Sequence, residues 1–184
     1  TTTGKVKILK TTKYGVILGQ TAEFDNGVVA SETNAAFNDK TYLLYKDGYV
    51  YAYGARLGTK VYRVKADDIV AGTDVEVETS ALPFNGVAKA EAIAYDEKND
   101  RYAVRVGRAL YLVNGKTNAV YRTVEGAAVT GTEVGVTADE NYVYVITELT
   151  GGIRFYVYDW SGNKIGEVSQ AGFIKEESKN ANIP

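Results

Sequence analysis

The chain of 184 residues contains no cysteine and no histidine. Without thiols there are no disulfides, thiolate metal sites, iron–sulfur clusters or cysteine nucleophiles. Without imidazole the usual general base, a frequent metal ligand and the switch that titrates near neutrality are gone. Methionine is absent as well, even at position 1. That leads to the expectation that Thr1 is a terminus made by processing or by excision from a longer protein. No apolar run approaches the roughly 20 residues of a membrane span, so a soluble chain without a membrane segment is expected. A net charge of −2 and a pI of about 5.3 leave no general basic face for nucleic acid. Gly151-Gly152 is not a phosphate-binding loop, and no strand–glycine–helix fingerprint occurs.

What the chain does contain is material for strands. There are 15 tyrosines and 19 glycines against two prolines, Pro83 and Pro184, and valine, threonine and isoleucine fill much of the rest. Branched and aromatic side chains suit a pleated, half-buried surface. Tyr49 to Tyr53, Lys60 to Val64, Val75 to Glu78, Tyr142 to Ile146 and Arg154 to Tyr158 alternate with a period of two, which predicts strands. Asp25-Asn26-Gly27, Asp47-Gly48, Asn85-Gly86, Asn114-Gly115 and Ser161-Gly162-Asn163 supply the residues that tight turns need. Gly115 and Gly162 are expected at positive φ in equivalent turns. Helix signals are poor: Ala88 to Tyr95 and Val64 to Ala71 offer a turn or two at most.

The order of these strands repeats. Ala92 to Tyr95, Arg101 to Val106, Ala109 to Val113 and Ala119 to Val124 are followed by Val134 to Val136, Tyr142 to Thr147, Ile153 to Tyr158 and Lys164 to Val168. Tyr111 and Tyr156 stand 45 residues apart, as do Asn118 and Asn163. A looser copy precedes both: Thr41 to Tyr45, Tyr49 to Tyr53, Lys60 to Lys65 and Asp74 to Glu78. Four short strands per unit at a period of about 40–45 residues is a blade pattern.

On these residues the chain resembles β-propeller repeat proteins, from about position 41 to position 170. The resemblance is to the blade in general, since no Trp-Asp dipeptide, Gly-His pair or kelch double glycine stands in blade position. It implies an all-β, propeller-like array of about four four-stranded antiparallel blades, with a β-sandwich as the alternative. The expected organisation is N-terminal strands over 1–40 (a divergent blade or an arm), three repeat units over 41–172 and a polar tail over 173–184. At about 45 residues per blade the chain makes a minimal ring, an arc completed by other copies, or part of a larger ring.

No catalytic residue is expected. Asp67-Asp68, Asp96 with Asp100, Asp139-Glu140 and Glu176-Glu177 are the carboxylate clusters. Neighbours on a strand point to opposite faces, so none supplies the facing pair that glycoside cleavage needs. Asp96, Glu97, Asn99 and Asp100 lack calcium-loop spacing, and no metal or cofactor is expected. Tyr49, Tyr51 and Tyr53, and likewise Tyr156 and Tyr158, place rings on a single face that can stack on a glycan or anchor a protein, or can simply cover a sheet. Trp160, in a predicted turn, is the first choice for a contact residue. Residues 1–22 carry Lys5, Lys7, Lys10 and Lys13 and no acid, which suits an assembly arm or a guarded sheet edge. The reading is a non-enzymatic structural or binding domain of a larger assembly (a virion, fibre or cell-surface machine), with protein partners and a homo-oligomer or larger complex. The alternative is a carbohydrate-binding propeller, with glycoside processing through carboxylates that only the fold would bring together. An extracellular or virion location is expected.

Overall fold

The structure, a computed structural model, describes residues 4–25, 41–54, 57, 60–127, 134–149 and 152–171. The expected strand at 27–31 and the tail at 173–184 lie outside the described residues. Two compact units are formed, one from Thr1–Pro83 with Ala88–Ala90 and one from Phe84–Val87 with Glu91–Pro184.

In the first unit the strands are β1 (Lys5–Val6), β2 (Leu9–Thr11), β3 (Ile17–Thr21), β4 (Phe24–Asp25), β5 (Tyr42–Lys46), β6 (Tyr49–Tyr53), β7 (Val61–Lys65), β8 (Asp74–Val75) and β9 (Glu78–Ser80). They make a β1-β4 pair, a three-stranded β2-β3-β8 sheet and a four-stranded β5-β6-β7-β9 sheet. Asp47 and Gly48 both take positive φ, so the β5–β6 hairpin turns as its sequence predicts. The core joins Ile8, Phe24, Ala52, Leu57, Tyr62, Val64 and Ile69.

One expectation changes in this unit. The alternating run at Asp74 to Glu78 is not one fourth strand. Its first half pairs in parallel with β3, and the outer strand of the β5–β9 sheet begins at Glu78. The split goes with contacts from distant strands: the Asp74 carboxylate accepts hydrogen bonds from Lys7 Nζ at 2.8 Å and Gln20 Nε2 at 2.7 Å. Between β7 and β8 the helical signal amounts to a single 3-10 turn at Ala66–Asp68.

The second unit holds β10 (Ala92–Asp96), β11 (Arg101–Val106), β12 (Ala109–Asn114), β13 (Val120–Val124), β14 (Val134–Ala138), β15 (Tyr142–Leu149), β16 (Gly152–Asp159) and β17 (Lys164–Ala171). They form two four-stranded sheets, β10 to β13 and β14 to β17, each antiparallel and each in sequence order. The alanines near 92 that suggested a helical turn lie on β10, where Ala94 pairs opposite Ala103 and belongs to the core. A four-stranded meander repeated along the chain is the propeller-type blade, and the fold is all-β of that type.

The two sheets of the second unit pack face to face. Ala94, Ala103, Leu110 and Leu112 of the first meet Val143, Val145, Tyr156, Tyr158 and Trp160 of the second, with Ala127 beside them. Pairing places Leu112 opposite Ala103, and Val157 opposite Tyr144, so Leu112 and Val157 are equivalent positions. Leu112 therefore contacts not the equivalents of its own face but the residues one step out of phase. The β14–β17 sheet thus turns one face to the sheet before it and the opposite face away from it.

Candidate functional site

The β16–β17 turn is built around a carboxylate. Asp159 Oδ1 accepts from the backbone N–H of Ser161 at 2.9 Å and of Asn163 at 2.8 Å, and Oδ2 accepts from Asn163 Nδ2 at 2.9 Å. The Asn163 side chain, then these backbone donors, hold the Asp159 carboxyl below its usual range. Gly162 completes the turn at φ +85.

Trp160, expected as an exposed contact at a loop tip, is corrected by its position: it is 6% exposed and belongs to the core. The turn folds the indole inward, where Nε1 donates to the Asp139 carbonyl at 2.9 Å. The Arg101 guanidinium lies over the ring, 4.3 Å from its centre. Arg101 in turn donates to Asp96 Oδ2 from Nε at 2.9 Å and Nη2 at 2.6 Å, and to the Glu140 carbonyl. Burial alone would raise the pKa of Asp96, but hydrogen bonds from Asn99 and Arg101 outweigh it and keep the carboxylate ionised. Tyr121 donates to the Trp160 carbonyl at 3.1 Å, and Lys98 pairs with Glu140. This cluster is a clasp between the two sheets, and its carboxylates are committed to structural donors.

The tyrosines named from the alternation do share faces, but most are not accessible. Tyr51, Tyr53, Tyr156 and Tyr158 are buried, and only Tyr49 is half-buried. Tyr49 lies beside Tyr51 at 6.3 Å and beneath Arg63 at 4.9 Å. Tyr158 donates its hydroxyl to the Ala127 carbonyl at 2.9 Å. Four of these five side chains cover sheets, as interior rings do.

The lysines of the expected arm are part of the first unit. Lys5 pairs in β1 with Asp25, Lys7 bridges to Asp74 at 2.8 Å, Lys10 donates to the Ala66 carbonyl at 2.9 Å, and Lys13 lies over the Tyr14 ring. Between them Ile8 is buried in the core, with its N–H donating to Thr21 Oγ1. A segment whose middle residue is core is not a free arm. What the sequence did not single out is the apolar exposure on the β2–β3 hairpin: Leu9, Tyr14, Val16, Ile17 and Leu18 are all exposed, Tyr14 by 81%.

The most informative surface comes from comparing equivalent positions in the second unit. On the β10–β13 sheet, Ala103, Leu110 and Leu112 are all 0% exposed, sealed by the next sheet. Arg105 on the same face is buried and pairs with Glu91 at 3.1 Å. The register of β14–β17 puts Tyr144, Phe155, Val157 and Ile146 at those same four places. There all four are half-buried rather than sealed. Val124, partly buried against the core, corresponds to Val168, which is 59% exposed. A face that the preceding sheet buries is thus only partly covered in β14–β17.

Among the described residues no helix is long and apolar enough to cross a membrane, and no group of three or more acidic side chains is placed to hold a metal ion. No family model matches the chain, and no curated protein matches it. Among solved structures the chain is similar to the WD40 domain of coronin from Toxoplasma gondii, at 9% identity and a TM-score of 0.46 over 85% of this chain. It is similar to apo AztD from Citrobacter koseri at 15% identity and a TM-score of 0.43 over 83% of this chain. It is also similar to Hsv2 from Kluyvelomyces marxianus, at 11% identity and a TM-score of 0.41, covering 91% of this chain and 68% of that one. The chain spans 37% of the length of the coronin domain and 42% of that of AztD.

Proposed function

We propose that this chain is a non-catalytic β-repeat module that serves as one component of a larger protein assembly, joined through the faces of its sheets. The observation that supports this is the partly open face of β14–β17, with Ile146, Phe155 and Val157 half-buried and Val168 exposed where the preceding sheet is sealed. Burying apolar area is worth about 25 cal/mol per Å², and an exposed patch of this kind ordinarily marks a contact. The carboxylates with lowered pKa support a non-catalytic reading. Asp74, Asp96, Asp139 and Asp159 each serve a lysine, arginine, tyrosine or asparagine donor within the fold. The lack of thiols suits an oxidising setting such as a cell surface, a fibre or a virion. Glycan binding is the weaker reading, because four of the five tyrosines it would use are buried. Light scattering over a hundredfold range of protein concentration tests the proposal. The mass should rise above the 20.0 kDa of one chain, and Phe155→Asp should return it to one chain. A constant single-chain mass with no partner recovered, or turnover of a glycoside or ester that one carboxylate substitution abolishes, would overturn it.

A further inference from the structure

We infer that Asn85 is a site of spontaneous covalent modification, where the Gly86 nitrogen displaces the side-chain amide and leaves aspartate and isoaspartate. Asn26, Asn85 and Asn114 each precede a glycine, which has no side chain to crowd its nitrogen. Asn26 lies outside the described residues, and the other two stand in contrasting settings within the second unit. Asn114 and Gly115 are locked. Asn114 Oδ1 accepts from the backbone N–H of Lys116 and of Thr117, both at 3.0 Å. The Gly115 N–H, whose nitrogen would have to attack, donates to the Asp100 carbonyl at 2.8 Å, and Gly115 is buried. Asn85 and Gly86 are both exposed. Asn85 Nδ2 lies 3.5 Å from the Thr117 carbonyl, at the outer limit of a hydrogen bond. The Gly86 N–H meets no acceptor among the described residues. Gly86 takes φ +83 as the third residue of a turn closed by the Val87 N–H on the Phe84 carbonyl at 3.3 Å, as type II turns require.

The step needs no partner but water. Once it has lost its proton, the Gly86 nitrogen forms a bond to Asn85 Cγ, the Cγ–Nδ2 bond breaks and ammonia leaves, closing a cyclic imide. Water then opens the imide at either carbonyl. Opening at Cγ gives aspartate in an unaltered backbone, whereas opening at the main-chain carbonyl gives isoaspartate, with the backbone routed through Cγ. Ring closure requires the Asn85 backbone to rotate, which an exposed turn with a glycine permits and the doubly anchored Asn114 turn does not. Isoaspartate is felt by the fold because Phe84–Val87 is fastened to the β12–β13 turn. The Asn85 N–H donates to the Asn118 carbonyl at 2.7 Å, Asn85 bridges to Ala119, and the buried Phe84 ring lies 5.0 Å from that of Tyr102. An added backbone carbon between Asn85 and Gly86 shifts this register, whereas aspartate adds only a charge.

Peptide mapping by mass spectrometry, after incubation in mildly alkaline buffer, reads each asparagine separately. In the folded chain Asn85 should convert roughly tenfold faster than Asn114, whose anchored turn denies it the geometry of attack. In concentrated urea the two should convert at similar rates, since each precedes glycine. Gly86→Ala should slow conversion at Asn85 several-fold, and a Cβ there meets nothing within 4 Å, so the variant leaves the packing intact. Hydrogen exchange then compares the aged isoaspartate fraction with Asn85→Asp, which carries the charge without the extra backbone carbon. Only the isoaspartate form should lose protection at the amide of residue 85. Equal conversion of Asn85 and Asn114 in the folded chain would overturn the inference. So would a folded chain that keeps Asn85 intact while the chain in urea converts it. An aged fraction as well protected at residue 85 as fresh protein would overturn the consequence drawn for the fold.

Discussion

Trp160 shows how far a single residue can be misread from its local sequence. Flanked by Asp159, Ser161 and Gly162 it has the setting of a loop tip, and the turn is indeed there. What local sequence does not carry is the position of the neighbouring sheet, whose Arg101 roofs the indole. As the chain's only tryptophan, it should emit at the short wavelengths of a buried indole and shift red on unfolding. Trp160→Ala should cost about 3–5 kcal/mol, as large-to-small changes in a core do, read by denaturant unfolding. Asp96 gives a pH signature from the same clasp. Folding lowers its pKa, so its stabilisation is complete above the unfolded value of 3.8 and is lost as pH falls through the lower folded value. Thermal melts should therefore lose stability below about pH 4. Asp96→Asn should cost about 1–2 kcal/mol near neutrality and flatten that acid-side loss. An Asn variant with unchanged acid dependence would contradict the assignment.

Glycine roles divide in the same way. Gly162 has the positive φ expected of it, and a Cβ there would also come within 2.8 Å of Arg122 Cγ. Gly115 is not in the left-handed region. That conformation falls to Asn118 at φ 57, one residue before the β12–β13 turn closes, as Gly162 is one before its own turn closes. Gly115 is required instead because its Cβ would collide with the Asp100 carboxylate. Valine at either position should destabilise by more than about 1 kcal/mol, Gly162 through backbone and contact together, Gly115 through contact alone. Thermal melts unchanged from the parent would refute both accounts.

At the scale of elements, most strands were readable because the side chains alternate and the turns carry Asn, Asp and Gly. The β10–β13 and β14–β17 sheets match the pattern nearly strand for strand. Failures came where alternation says "strand" without saying which sheet. Val75 to Glu78 alternates throughout, yet Asp74–Val75 joins β3 and Glu78–Ser80 joins β7. The choice depends on Lys7 and Gln20, distant in sequence. The N-terminal lysines misled in a similar way, since an arm and an integrated sheet have the same composition. Ile8 separates them. With its side chain in the core and its backbone paired to Thr21 in both directions, Ile8 makes the first strands part of the fold. Removing residues 1–13 should abolish cooperative unfolding of the first unit, followed by circular dichroism. A truncated chain that melts like the parent would restore the arm.

For the whole molecule, the sequence shows the repeat but not where stacking stops. Period and turn chemistry are local, whereas the exposure of a face depends on what lies against it. Val157 is as apolar as the sealed Leu112 to which it corresponds. Only their exposure separates an interior face from an open one, so the candidate surface could not be read from composition. The alternating tyrosines form no exposed platform, because rings at every second position cover the sheets. Thiol labelling of Val168→Cys at rising protein concentration reads the covering of the open face most directly. The account predicts fast labelling in dilute solution, strong protection as concentration rises, and loss of that protection when Phe155→Asp is added. A labelling rate that is fast and constant at every concentration would contradict it.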